Sequence, residues 1–436
     1  MHVITSKKSV KSLVVERVAP EILRLLEAAG RAAEAEGMAA YAVGGLVRDL
    51  FLGIENDDVD IVVEGDGLKV AGCLAALLGA RLQPHEQFGT AVLLLPDGFR
   101  LDVATARVEF YEYPAAPPVV EASSVKDDLC RRDFTINTLA IKLNEPDAFH
   151  LVDCFEGRRD IEERTVRVLH DLSFVEDPAR VFRAIRFEQR FDFSIGRQTL
   201  ALLKDAVAGD FVGRLAPARL ATELRYILEE KQPLKMVRRM AELDVLRFIH
   251  PSFAGPSEER PILQSLEEVM ALDELNDLDL PLERWFIYLL ALLDPLLAEE
   301  ASAVGHRLAL PERLQEALER YWDQRTRVAD VVEREPPPRP SKVYRALEDV
   351  APEALMVLIA RTEKGEARRR LSHYLTKTRT VEPAIGGEDL IAIGLEPGPR
   401  FKEILETVRD RRIDGELKTK DEEIAFVRET YAPPPR

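Results

Sequence analysis

The stretch Asn56-Asp57-Asp58-Val59-Asp60-Ile61-Val62-Val63 decides how the fold is read. From Val59 the run is apolar and β-branched, which predicts a strand. Successive side chains of a strand point to opposite faces, so Asp58 and Asp60 share one face. Two carboxylates at that separation repel, and without a cation one is pushed towards protonation. A divalent cation removes the conflict, and two cations about 4 Å apart form the usual clamp for displacement at phosphorus. Asp102, in Phe99-Arg100-Leu101-Asp102-Val103, sits on another apolar strand and is a third candidate for the same cluster. A polar strand entry at the surface would read the same way, so the neighbouring segments have to decide.

Upstream, Tyr41-Ala42-Val43-Gly44-Gly45-Leu46-Val47-Arg48-Asp49 reads as strand, glycine pair and helix. Gly44 and Gly45 let backbone approach a phosphate, the helix start offers free N–H groups, and Arg48 lies in the first turn. A plain tight turn gives the same pair. The spacing is not Gly-x-Gly-x-x-Gly, which sets aside a dinucleotide-binding fold. Around these segments Glu21–Gly37, Leu46–Leu52 and Leu68–Leu78 have helical spacing. Ala39–Val43, Arg81–His85, Ala91–Leu95 and Arg100–Ala104 read as strands, the last two joined by a Pro96-Asp97-Gly98 turn. Arg107–Lys126 holds Pro114, Pro117 and Pro118, shows no period, and is expected to be a long functional loop. Beyond about Val168 strand signals fade and helical periodicity takes over: Pro178–Phe191, Arg197–Ala208, Pro217–Glu229, Pro261–Leu272, Leu282–Leu292 and Pro311–Tyr321. Glu333–Pro340 is a proline-rich connector, followed by three or four more helices. The expected fold is an α+β head, a mixed sheet with helices, followed by a long all-α arm.

Composition narrows the chemistry. Cys73, Cys130 and Cys154 form no Cys-x-x-Cys pair, which argues against a disulfide framework and a zinc site. Any metal is then a hard cation on carboxylates. No apolar run reaches the ~18 residues of a membrane span, and Leu13–Val15 is too short for a signal-peptide core, so a cytoplasmic protein without a membrane is expected. The net charge of −17 counts against a nucleic-acid partner unless the basic residues cluster.

They do cluster. Asp128-Leu129-Cys130-Arg131-Arg132-Asp133-Phe134-Thr135-Ile136-Asn137 places two arginines before Asp133, the expected cap of a helix Phe134–Ile141. In Glu176-Asp177-Pro178-Ala179-Arg180-Val181-Phe182-Arg183-Ala184-Ile185-Arg186-Phe187, Asp177 is a natural cap for Pro178. That does not account for Arg180, Arg183, Arg186 and Arg190, which form one basic stripe at i+3/i+4. Arg214-Leu215-Ala216-Pro217-Ala218-Arg219-Leu220 follows. Late in the chain Arg368, Arg369, Arg370 and Lys377 are close in sequence, and Arg400 follows a Gly/Pro turn at a helix start. They are the candidate RNA contacts, with a solvated basic face as the plain alternative.

The order Gly-Gly, Arg-Asp, Asp-x-Asp resembles the DNA polymerase β-like nucleotidyltransferases. The segments at 128–137 and 176–187 resemble the RRDFT.N and EDxxRxxRxxRF motifs of class II tRNA nucleotidyltransferases and bacterial poly(A) polymerases. The segment at 214–220 is similar to their next motif but carries Ala216 where Ser is common. The resemblance implies catalysis by Asp58, Asp60 and Asp102, with Mg²⁺ on Asp58 and Asp60. It implies nucleotide contacts from Gly44, Gly45, Arg48, Arg132, Asp133, Asn137, Asp177, Arg180, Arg183 and Arg186. Asp177 as acceptor and Arg180 as donor would match the amino group and ring nitrogen that cytosine and adenine share, and would mismatch uracil and guanine. The implied domains are a catalytic head over 1–150, a base-reading neck over 151–260, a body over 261–340 and an RNA-binding tail over 341–436. The implied partners are tRNA, ATP and CTP. Complete CCA addition, addition of A only, and poly(A) synthesis all fit. An inactive RNA-binding module is opposed by the intact Asp58/Asp60 pair. An HD-type phosphohydrolase is opposed by a single His-Asp dipeptide, His170-Asp171, with the other histidines scattered.

Overall fold

The structure, a computed structural model, describes residues 9–110, 119–255, 261–276 and 282–431. The chain forms two compact units: Met1–Glu223 with Lys235–Gly255, and Leu224–Leu234 with Pro256–Arg436.

In the first unit, helices α1 (Lys11–Arg17) and α2 (Pro20–Ala35) lead into strand β1 (Ala39–Val43) and helix α3 (Gly45–Leu52). Then come β2 (Val59–Glu64), α4 (Gly67–Leu78), β3 (Arg81–His85), β4 (Thr90–Leu94) and β5 (Arg100–Thr105). Strands β6 (Arg107–Phe110) and β7 (Val119–Ala122) pair with each other, and α5 (Val125–Cys130) follows. Strands β8 (Leu139–Lys142) and β9 (Leu151–Asp153) complete a seven-stranded sheet of order β3-β4-β5-β2-β1-β8-β9. It is antiparallel except for the parallel pair β2·β5, whose register sets Asp60 beside Asp102. One face buries Tyr41, Val43, Val62, Ala140 and Val152 against Val125 and Leu129 of α5. Asp60 shares the parity of Val62, so the carboxylates stand on this α5 face, at its polar edge. Helices α2 and α4 pack on each other and on the sheet. The unit continues through α6 (Gly157–Glu162), β10 (Thr165–Val166), α7 (Ser173–Glu176), α8 (Arg180–Phe191), β11 (Ser194–Ile195) and α9 (Arg197–Ala208). Along the chain, helix α10 (Pro217–Glu229) passes from the first unit to the second after Glu223, and α11 (Pro233–Glu242) passes back to the first at Lys235.

Three expectations are corrected. Arg107–Lys126 is not a loop throughout: its flanks are the β6–β7 hairpin and the start of α5, while the proline-bearing tip, 111–118, lies outside the described residues. Phe134–Ile141 is not a helix: only Thr135–Asn137 makes a 3₁₀ turn, and Leu139–Lys142 joins the sheet as β8 beside β1. Strands do not end near Val168 either, since β11 pairs in parallel with β10.

Every secondary-structure element described in the second unit is a helix. Trp285–Leu293 are buried on every side, as expected of a central core helix. Glu312–Val332 is a single helix of 21 residues, longer than the expected Pro311–Tyr321. At the C-terminal end Ile385, Leu390, Leu395, Ile404, Val408, Leu417 and Val427 form a separate small core. Among the described residues no helix is long and apolar enough to cross a membrane.

Candidate active site

Oxygens of Asp58, Asp60 and Asp102 lie within 4.8 Å of one another. β2 and the residue before it supply the first two, and the parallel neighbour β5 supplies the third. Burial, and then Asp58, push the Asp60 carboxyl up to about 6, with Asp102 adding and Arg132 and Arg100 opposing. Arg100 grips Asp102 through Nε and Nη2 at 3.0–3.3 Å. An all-oxygen, anionic set of this kind fits a hard divalent cation, which would remove the repulsion that raises Asp60.

Beside the carboxylates opens a cavity of about 480 Å³, a size suited to a nucleotide. Gly44, Gly45, Arg48, Asp60, Arg132, Asp133, Asn137, Asp177, Arg180 and Arg183 all line it. Gly44 precedes α3 with φ +70°, and a Cβ there would stand 3.0 Å from Arg132 Nη1 and 3.4 Å from Asp60 Oδ2. The glycine therefore lets strand, helix and arginine converge on the metal edge.

The arginines are held by an interlocked network. Arg48 donates to Asp49 at 2.7 and 2.9 Å and to Asn137 Oδ1 at 2.8 Å, and its guanidinium lies 4.7 Å from the Phe191 ring. Arg48 is thus buried and largely committed, and it acts on the cavity by fixing Asn137. Asn137 Nδ2 donates to Asp133 Oδ1 at 2.9 Å, and Arg183 forks onto Asp133 Oδ2 at 2.8 and 2.5 Å. Burial alone would raise the Asp133 carboxyl. Arg183, Asn137 and Arg180 outweigh it and hold the group at about 2. Asp133 also accepts the Phe134 N–H at 2.8 Å, but it is not the cap expected of it: Phe134 stands at the start of the Thr135–Asn137 turn, which has no side-chain cap. Arg132 donates to the fully buried Asp128 at 3.2 Å.

Asp177 and Arg180 come from the turn into α8. Arg180 is buried and donates to Ser173 Oγ at 2.6 Å and to the Arg131 carbonyl at 2.9 Å, which leaves its Nε 3.9 Å from Asp177 Oδ2. Asp177 accepts the Ala179 N–H at 3.1 Å and, on Oδ2, an N–H of Arg219 at 2.5 Å. Arg186 is not among the residues lining the cavity; its guanidinium lies 5.4 Å from the Phe187 ring.

The wall also holds Glu109, Arg131, Phe187, Arg219 and Glu223, which sequence reasoning left unassigned. Glu109 accepts from Arg131 at 2.8 Å and Arg107 at 3.0 Å. Arg219 and Glu223 are four apart on α10, so one helical face brings both to the cavity. That spacing was the available signal.

In the second unit the candidate RNA contacts are unequal. Arg368 lies 3.7 Å from Glu268, Arg369 pairs with Glu366, and Arg370 donates to the Val332 carbonyl. Lys377 is exposed on a π-helical turn, Tyr374–Thr378, and Arg400 is exposed at the start of Arg400–Ile413.

A mixed sheet that clusters three carboxylates, with Asp60 of the cluster in the wall of a nucleotide-sized cavity while Asp58 and Asp102 stand outside it, defines the head of a nucleotidyltransferase. Residues 40–167 match the Poly A polymerase head domain, and residues 192–255 match the probable RNA- and SrmB-binding site of polymerase A. The chain is 43% identical over 425 residues to an A-adding tRNA nucleotidyltransferase of Geobacter sulfurreducens, covering 96% of this chain and 48% of that protein. It is 30% identical over 414 residues to the A-adding tRNA nucleotidyltransferase of Halalkalibacterium halodurans, covering 94% and 92%. The solved Thermotoga maritima CCA-adding enzyme, complexed with tRNA, is 37% identical with a TM-score of 0.76, covering 96% and 98%. The chain belongs to the tRNA nucleotidyltransferase and poly(A) polymerase family. It spans about half the length of the Geobacter relative and nearly all of the Halalkalibacterium one.

Proposed function

We propose that this chain is a template-independent tRNA nucleotidyltransferase that builds or completes the 3′-terminal CCA from ATP and CTP and releases pyrophosphate. One juxtaposition carries the reading: a carboxylate cluster suited to metal opens onto the cavity that also holds Asp177 and Arg180. Both of these relatives are A-adding, which favours completion with ATP as the narrower form. The working site is cytoplasmic. The division of labour is a catalytic head over 1–150, a base-reading neck over 151–260, a body over 261–340 and an RNA-binding tail over 341–436.

In this reading Asp58 and Asp60 hold Mg²⁺, with Asp102 beside them. When bound, the ion supplies positive charge that neutralises phosphate oxygens and favours ionisation of the RNA 3′-hydroxyl. Arg132, poised between Gly44 and Asp128, offers donors to phosphate or ribose. Asp133 and Asn137 set the edge of the sugar site, and Arg183 locks Asp133 in place. Asp177 accepts from the base amino group and Arg180 Nε donates to the ring nitrogen. The bases of CTP and ATP meet both; those of UTP and GTP leave buried groups unpaired.

The test uses tRNA transcripts ending in N, NC and NCC, each with labelled CTP or ATP and Mg²⁺. A single A on the NCC end marks A addition, and stepwise growth of the N end marks full CCA synthesis. A long ladder with ATP would mark a poly(A) polymerase. No incorporation on any end would sink the enzymatic reading and leave an RNA-binding module.

A further inference from the structure

Glu223 stands in the wall of the nucleotide cavity, and its Oε2 is buried without a hydrogen-bond partner. The residue is 7% exposed. Buried acceptors are nearly always satisfied, so an orphan on a residue of the cavity wall asks what donor it awaits. Its placement is specific. Glu223 lies one turn beyond Arg219 on the same face of α10, and Arg219 holds Asp177 Oδ2 at 2.5 Å. The orphaned oxygen and the proposed base reader therefore belong to one wall.

A base amino group carries two N–H donors, and Asp177 can accept only one of them. Once the base has left water, the other needs a second acceptor. An acceptor lacking a donor and a donor lacking an acceptor then complete each other. We propose that Glu223 is a specificity-determining residue that accepts the second amino N–H of the incoming base, so that Asp177 and Glu223 together claim one amino group. This rests on the cavity being the base site. Burial pushes the Glu223 carboxyl up against the pull of Arg183 and Arg186, so an arriving donor relieves an incompletely compensated charge. A carbonyl in the same place would point its oxygen at two carboxylates. Uracil and guanine would then be repelled, as well as poorly bonded.

A purely structural Glu223 would balance Arg183 and Arg186, and its loss would depress all four nucleotides alike. The two roles separate in kcat/KM measured with ATP and with purine riboside triphosphate, in which hydrogen replaces the amino group. These are compared in the wild type, Glu223→Ala and Glu223→Gln, alongside melting curves. Removing the amino group is expected to cost the wild type roughly 100-fold and Glu223→Ala about tenfold less. Glu223→Gln should raise UTP use relative to ATP, because its amide can turn an N–H towards a carbonyl. An equal amino-group penalty in wild type and Glu223→Ala, or an unchanged UTP-to-ATP ratio in Glu223→Gln, overturns the inference while the base site stands. No amino-group penalty in the wild type overturns the base-site reading as well. If Glu223→Ala fails to fold, the ratio in Glu223→Gln decides alone.

Discussion

Asp133 accepts hydrogen bonds from the Phe134 amide, from Asn137 and from the Arg183 fork, all within the interior. Its carboxyl is held at about 2, against 3.8 ordinarily. A depressed carboxyl contributes stability that is complete above the unfolded value and is lost as pH falls through the folded one. Asp133→Asn should therefore cost roughly 2 kcal/mol at pH 5, and about half of that gap should be gone by pH 3. Urea unfolding at both pH values checks this, and a gap independent of pH would contradict it. Asp58→Ala and Asp60→Ala should each abolish incorporation while tRNA still binds, and appreciable turnover in either would remove them from the metal site. Asp102→Ala should be severe but less complete, because the Arg100 fork already neutralises part of its charge. Asp177→Ala should raise UTP and GTP incorporation relative to ATP when kcat/KM is compared for all four nucleotides. A role limited to the Ala179 amide predicts about 1 kcal/mol of lost stability with selectivity unchanged. Most of these residues were legible because each sits in a motif with its own local logic: alternation for Asp58 and Asp60, a helix start for Asp177. Arg219 was not legible as a partner of Asp177, since 42 residues separate the two and nothing local records the contact.

The elements read unevenly, for physical reasons. β2 declares itself through its β-branched run, and the arm through its helical period. Leu139–Lys142 is separated from Phe134 and Ile136 only by Asn137 and Thr138, and a short apolar run cannot be assigned to helix or strand by period alone. What settles it is β1, whose free edge takes β8 and places Lys142 opposite Tyr41. The β6–β7 hairpin hid behind the prolines of its tip, which mask two strands of 4 residues each. The hairpin is nonetheless well tied: its pairing runs from Arg107↔Ala122 to Phe110↔Val119, and Glu109 accepts from Arg131 of the Arg131-Arg132-Asp133 segment at 2.8 Å. A perturbation of the tip should therefore be felt at the cavity before it is felt by the core. Deleting Tyr113–Pro118 is expected to lower incorporation at least tenfold while the melting temperature moves by no more than about 4 °C. Undiminished activity on every tRNA end would make the hairpin a mere connector.

At the scale of the whole molecule, the proposed function requires a chain of net charge −17 to bind a polyanion through a minority of well-placed cations. Cations paired with carboxylates contribute less, because the neighbouring negative charge offsets their pull on a phosphate. Arg369 is spent on Glu366, Arg370 on the Val332 carbonyl with Glu335 3.9 Å away, and Arg368 stands 3.7 Å from Glu268. Lys377 is exposed, and Arg400 sits at a helix start, where the backbone adds positive character, over the Tyr431 ring at 5.8 Å. Arg368, Arg369, Arg370, Lys377 and Arg400 were equal candidates from the sequence, and the paired geometry shifts the expectation to Lys377 and Arg400. Removing a cation that neutralises one phosphate should flatten the slope of log Kd against log salt by about one. Lys377→Ala and Arg400→Ala are each expected to weaken tRNA binding and lower that slope by about one. Arg369→Ala should leave it within error. Fluorescence anisotropy titrations of labelled tRNA across a salt series measure this directly. Equal weakening at Arg369 and Lys377 would mean that the ion pairs open on binding and that the whole basic cluster faces the RNA. No change at either Lys377 or Arg400 would place the RNA surface elsewhere on the chain.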